Sequence, residues 1–254
     1  MRTVIVGASS GLGRSIAIGL SERGAQVALL ARRRERLEGA ATEAGPGSLV
    51  IECDVTEEAS VAAAIAAAAA GLGGIDAVVY STGIGPLSRI EDIDADVWRR
   101  AFDTNVVGAS LVAAAALAHL KASAGTAVFL SSVSASMTQP WPGLGAYVVS
   151  KAALDKLVEA WRVEHPEVGF TRLVVGDCMG GEGDSQTEFA NGWDPDLATE
   201  FGTVWFAKGY IAGALISVDE LVAVVDTVLR GGASLSLPSV TVAPRPQVVD
   251  PASA

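Results

Sequence analysis

The sequence predicts an α/β fold of the doubly wound class, one parallel sheet with helices packed on both faces. Three observations carry that expectation. Short runs rich in β-branched residues alternate with longer, Ala-rich stretches. Each run is almost wholly apolar, as a strand is when helices cover both its faces. A glycine-rich turn joins the first run to the first helical stretch, and βαβα order of this kind closes into a parallel sheet by right-handed crossovers.

The strands are expected at 3–6 (TVIV), 26–30 (QVALL), 48–52 (SLVIE), 76–80 (DAVVY), 126–130 (TAVFL) and 170–175 (FTRLVV), with a tail strand near Val240–Val242 closing one edge. Helical stretches fall near 13–23, 34–44, 57–70, 95–121, 147–164 and 218–230. No linker or repeat divides the pattern, so residues 1–254 are expected to form a single domain. Only 179–208 breaks the rhythm, mixing glycines and acids with Phe189, Trp193, Phe201, Trp205 and Phe206. A segment this long and aromatic is expected to be a substrate-covering loop with a short helix or two.

Composition excludes several classes. Half the residues are apolar, which speaks against disorder, yet no run reaches the roughly 18–20 apolar residues of a membrane span. MRTVIVG opens on a strand, so no signal or transit peptide is expected. A net charge of -11 argues against nucleic-acid binding. Cys53 and Cys178 have neither disulfide-framework nor metal-ligand spacing, and His119 and His165 have no acid or cysteine partner at ligand spacing. A cytoplasmic protein with free thiols and no metal is the expectation.

The first turn reads VIVGASSGLGRS, with Gly7, Gly11 and Gly13 spaced as G-x-x-x-G-x-G. Glycines there permit positive φ and close approach of a pyrophosphate to the backbone, while the next helix presents free N–H groups. Ser9 and Ser10 add hydroxyls. The G-x-G-x-x-G fingerprint does not fit, but placed after the first strand of a βαβ order the turn points to a dinucleotide. In an NAD site a carboxylate at the end of the second strand would accept bonds from the ribose 2′-OH. Here the strand runs into Arg32 and Arg33, which suit a phosphate. The expectation is NADP(H), its 2′-phosphate gripped by Arg32 and Arg33 near Ser9 or Ser10, with Arg34 and Arg36 solvated.

In AYVVSKAAL, Tyr147 and Lys151 stand four residues apart on one helix face, and an ammonium beside a phenol favours the phenolate. TAVFLSSVS ends a strand in serines at the carboxyl edge, where such sheets bind ligands.

With GASSGLG at 7–13, CDVT at 53–56, STG at 81–83, NVVG at 105–108, SS at 131–132 and YVVSK at 147–151, the chain resembles the short-chain dehydrogenase/reductase family over nearly its whole length. The resemblance implies Tyr147 as general acid/base, Lys151 on the nicotinamide ribose and lowering the tyrosine, and Ser132 on the reacting oxygen. Asn105 would support a water-linked proton path. Gly7, Ser9, Ser10, Gly11, Leu12 and Gly13 would hold the pyrophosphate region, Asp54 and Val55 the adenine, and Ser81 to Gly83 a ribose. It also implies a homotetramer or homodimer.

The sequence departs from the family pattern in three places. Ser134 meets the usual serine-to-tyrosine spacing, whereas Ser132 sits at the strand end and leaves two residues more. Tyr80-Ser81-Thr82-Gly83 stands for Asn-Asn-Ala-Gly. Asp177-Cys178 replaces the Pro-Gly after the sixth strand, where the nicotinamide amide is usually held. The expected activity is hydride transfer between a carbonyl and a secondary alcohol on a small, fairly apolar substrate. The alternatives are an NAD-dependent alcohol dehydrogenase and a non-catalytic NADP(H)-binding sensor of the same fold.

Overall fold

A computed structural model describes residues 1–178, 180–181, 183–211 and 213–245. Seven strands form one parallel sheet: β1 (Arg2–Val6), β2 (Gln26–Ala31), β3 (Leu49–Glu52), β4 (Ala77–Tyr80), β5 (Thr126–Ser132), β6 (Gly169–Val175) and β7 (Ser239–Val242). They lie in the order β3-β2-β1-β4-β5-β6-β7. The expected tail strand is therefore the edge strand β7, paired to β6 from Arg172↔Ser239 to Val175↔Val242.

Alternation of side chains divides each strand between two cores. Val4 and Val6 of β1, Val78 and Tyr80 of β4, and Ala127 and Phe129 of β5 enter one core. The helices on that face are α3 (Glu58–Leu72), α4 (Ala95–Phe102), α5 (Gly108–Ser123), a short α6 (Val133–Ser136) and α7 (Gly145–Glu164). Ile5, Ala77, Val79, Val128 and Leu130 enter the other core, with α1 (Gly11–Glu22) and α2 (Arg34–Ala44). Burial on both faces is why these strands read as continuous apolar runs.

A π-helical turn, Asp103–Val107, joins α4 to α5, so the helix runs unbroken from Ala95 to Ser123. By length and composition it could cross a membrane, although the sequence reading found no such stretch. Ala109, Val112, Ala113, Ala116 and Leu120 pack one face of it under the sheet.

After β6 the chain forms a single 3-10 turn at Gly183–Ser185, then α8 (Pro195–Ala207) and α9 (Val218–Leu229). Asp194 caps α8, accepting from the N–H groups of Asp196 and Leu197, with Pro195 at the first helical position. Phe201 and Trp205 of α8 pack with Leu144 and Val148 of α7, while Phe206 stays exposed. Within the 179–208 segment, Met179 and Glu182 lie outside the described residues.

The chain builds β1, β2 and β3 to one side and then crosses to β4 on the other side of β1. The loops after β1 and β4 diverge there, leaving a crevice at the carboxyl ends of the strands.

Candidate active site

The crevice is a cavity of about 810 Å³, within the size range of small-molecule sites. Its floor is the first turn. Gly7 and Gly11 hold φ of +94° and +55°, which side chains resist. A Cβ on Gly13 would lie 2.3 Å from the Gly7 carbonyl and 2.2 Å from Ser81 Oγ, so only glycine lets α1 start this close to the strand ends. Leu12 packs its side chain into the core beneath. Ser81 turns inward, donating to the Val6 carbonyl at 2.7 Å, so what faces the cavity here is mainly backbone.

At one end of the cavity, Arg33 is the centre of a cluster of charged and hydroxyl groups. Its Nη2 donates to Ser9 Oγ and Ser10 Oγ, each at 3.0 Å. Its Nη1 donates to Glu188 Oε1 at 2.7 Å, and Arg36 pairs with the same carboxylate. Ser10 Oγ lies 3.4 Å from Glu188 Oε2. Burial pushes the Glu188 carboxyl up, but the Arg33 bond and the charges of Arg33 and Arg36 outweigh it and hold the group below the usual range. Arg32 lines the cavity too, on the side of Asp54, whose carboxylate it helps to stabilise.

The sequence reading named Arg32 first and left Arg36 to solvent. The structure puts Arg33 first and brings in Arg36, because Arg33 is the cap of α2 and Arg36 stands three residues on, on the same side. Arg34 is solvated as expected, paired with Glu38 of its own helix and, at 4.0 Å, with Glu52. Asp54 accepts from Thr56 N–H at 3.0 Å and Thr56 Oγ1 at 2.8 Å, which anchors its turn, and Val55 is buried beside it at the cavity wall.

At the other end stand Ser132, Tyr147 and Lys151. Ser132 caps α6, and its hydroxyl lies 2.9 Å from Ser134 Oγ. Ser132, Ser134 and Tyr147 all line the cavity, and Ser134 is the more buried of the two serines. Lys151 is 5% exposed, donates from Nζ to the Leu130 carbonyl at 2.7 Å, and lies against Gly83. Burial pushes its ammonium down to about 8, against a partial upward pull from Asp155.

The expected lowering of Tyr147 is not found. Its residue keeps some surface toward the cavity, but Phe189 packs edge-on at 4.8 Å and the phenol is enclosed. That burial raises it, offset only by the Ser132 bond. Lys151 Nζ, 5.9 Å from the ring centroid, does not reverse the balance.

Asn105 is fully buried in the π-helical turn, a distortion frequent at functional sites. Its Oδ1 accepts from Ile84 N–H at 2.9 Å, and its amide donates to Ile84 O at 3.0 Å and Ser150 Oγ at 2.8 Å. Both side-chain N–H groups are therefore spent on clamping the loop after β4 to α7. A water path at this position is left to Oδ1 and the main chain.

Asp177 and Cys178 line the cavity, and the strand-like contact Cys178↔Ile216 holds them in place. Burial pushes both Cys53 and Cys178 up to about 11, which keeps them as protonated thiols. Tyr80, where the family has asparagine, is buried and donates to the Thr104 carbonyl. Among the described residues no cluster of acids, histidines and cysteines suits a metal ion.

Glu188 and Phe189 were missed by sequence reading as site residues in their own right. They belong to an irregular segment with no periodicity, and their partners lie far away along the chain.

The sequence model of one protein family, described as short chain dehydrogenase, matches residues 2–180. 11-beta-hydroxysteroid dehydrogenase A of Sesamum indicum is 34% identical over 179 residues, covering 68% of this chain and 51% of that protein. The match thus spans about half the length of the sesame protein. Cis-4-hydroxycyclohexanecarboxylate dehydrogenase of Sinomonas cyclohexanicum is 33% identical over 170 residues, 65% of this chain and 68% of its own. An alcohol dehydrogenase from the archaeon Thermococcus sibiricus, solved in complex with 5-hydroxy-NADP, superposes with a TM-score of 0.79 at 25% identity, covering 98% of each chain.

Proposed function

The chain belongs to the short-chain dehydrogenase family, and on that premise we propose that it is an NADP(H)-dependent oxidoreductase interconverting a carbonyl and a secondary alcohol. The observation that carries the reading is one cavity with an anion seat at one end and Ser132, Tyr147 and Lys151 at the other. The glycine turn fits a dinucleotide, because a Cβ at Gly13 would strike the Gly7 carbonyl and Ser81 Oγ and push the start of α1 away from the strand ends that line the cavity. Gly7, Gly11 and Gly13 would hold the pyrophosphate, Arg33 with Ser9 and Ser10 the 2′-phosphate, and Asp54 and Val55 the adenine side. When bound, the nicotinamide supplies the hydride chemistry that no side chain here can.

The chain's own residues do the rest. Tyr147 holds the transferable proton on Oη, and its raised phenol suits an acid that protonates the oxygen of a carbonyl under reduction. Ser132 Oγ donates a hydrogen bond to the same oxygen. Lys151 places a positive charge under the site at neutral pH, being protonated below about 8. Phe189, Trp193, Trp205 and Trp141 wall the outer end, which excludes water and favours an apolar substrate. The names of the sesame and Sinomonas relatives, both dehydrogenases of hydroxylated ring compounds, support that class. A cytoplasmic homo-oligomer belongs to the same reading. Val107, Val149 and Val163 leave apolar surface for a second copy.

Tyr147→Phe with NADPH and a panel of cyclic ketones tests it. Turnover should fall by about 10²–10⁴-fold with NADPH affinity retained. A variant that keeps its turnover would remove Tyr147 from the chemistry.

A further inference from the structure

The lid residue Glu188 sits in the seat assigned above to the 2′-phosphate. Three groups meet its carboxylate, the Arg33 and Arg36 guanidinium groups and the Ser10 hydroxyl, and Ser9 Oγ accepts from Arg33 beside them. They come from the turn after β1 and the start of α2, and Glu188 comes from a segment 155 residues away from Arg33. A carboxylate and a phosphate dianion cannot share two guanidinium groups in one small seat. We propose that Glu188 is an internal competitor for the cofactor's 2′-phosphate, a selectivity residue that NADP(H) must displace and NAD(H) need not. The inference rests on the NADP(H) reading of the arginine cluster.

The rest of the segment touches the glycine turn without closing the cavity. Gln186 O accepts from Gly11 N–H at 3.2 Å and Phe189 covers Tyr147, but the 810 Å³ cavity stays open between lid and floor. The Gln186 contact on Gly11 stands before either dinucleotide alike, whereas the Glu188 pairs stand only in the arginine seat. The competition is modest because Glu188, Arg33 and Arg36 are 30%, 41% and 47% exposed, so solvent screens their pairs. Displacement also reaches the substrate end, since Phe189 follows Glu188 directly and packs on Trp193 at 5.4 Å.

The test is Glu188→Gln, which keeps the shape and removes the charge. NADPH and NADH are titrated by nicotinamide fluorescence, and 2′,5′-ADP and 5′-AMP by calorimetry, against the unmodified chain, Glu188→Gln, Glu188→Ala and Arg33→Ala. Both Glu188 variants should bind NADPH and 2′,5′-ADP roughly tenfold more tightly, about 1.4 kcal/mol. NADH and 5′-AMP should stay within about twofold. Equal tightening of all four ligands would make Glu188 a general lid latch and overturn the competition. Unchanged or weaker NADPH binding in the Glu188 variants, with Arg33→Ala still weakening NADPH, would overturn it while leaving the NADP(H) reading intact. If Arg33→Ala leaves NADPH alone and NADPH binds no better than NADH, the NADP(H) reading itself fails.

Discussion

Lys151 carries the prediction that can be worked furthest from geometry. Its ammonium is buried under β5 with one carbonyl partner, Leu130 O, and burial moves it from 10.5 to about 8. At about 1.36 kcal/mol per pKa unit, holding that charge inside costs the fold about 3 kcal/mol at pH 7. The sign follows from proton counting. Between about pH 8 and 10.5 the unfolded chain binds the proton and the folded chain does not, so stability rises with pH across that window. The cost is complete below pH 8 and gone above 10.5. Tyr147 lies above the assay range because burial raises it, and Asp155 supplies the opposing charge.

The control is Lys151→Met, which keeps length without charge. Its lost bond to Leu130 does not depend on pH. From pH 7 to pH 9 the unmodified chain should gain about 1.4 kcal/mol relative to the variant. For a chain of this size that narrows the gap in Tm by about 3–5 °C. Urea unfolding at half-unit pH steps measures it. A difference between the two proteins that stays constant within about 0.3 kcal/mol would refute the buried-charge account of Lys151.

Two more predictions come from close packing. Gly13→Ala drives a Cβ against the Gly7 carbonyl and Ser81, so it should cost about 1–3 kcal/mol in urea and weaken both nicotinamide cofactors together; unaltered cofactor affinity would show that the turn does not approach the ligand. Asn105→Ala strips both main-chain partners of Ile84 and should cost about 2–4 kcal/mol. Amide exchange should then rise at Ile84 before the sheet loosens, and a uniform rise would deny the clamp its local role.

The fold was legible because its signals are local. Strands buried on both faces need apolar runs, helices need Ala-rich spacing, and the turn between Val6 and Leu12 needs glycine, so β1 to β7 could be placed to within a residue or two. Tyr147 and Lys151 were legible for the same reason, since four residues on a helix fix their common side. Ser132 was preferred from its place at the strand end although Ser134 meets the usual count, and the fold brings the two hydroxyls to 2.9 Å.

What chain order cannot encode locally is which distant groups desolvate or pair with one another. Burial raises Tyr147 against the expected shift, although the lysine four residues on was plain in the sequence. Arg36 looked solvated because its partner, Glu188, stands 152 residues away in a segment without periodicity. Asn105 turns inward to Ile84 and Ser150 only because a π-helical turn reorients it between two elements already packed. Backbone propensity and apolar period act over a few residues and set the scaffold. Charge pairing and burial act through space, and they have values only once the scaffold has closed.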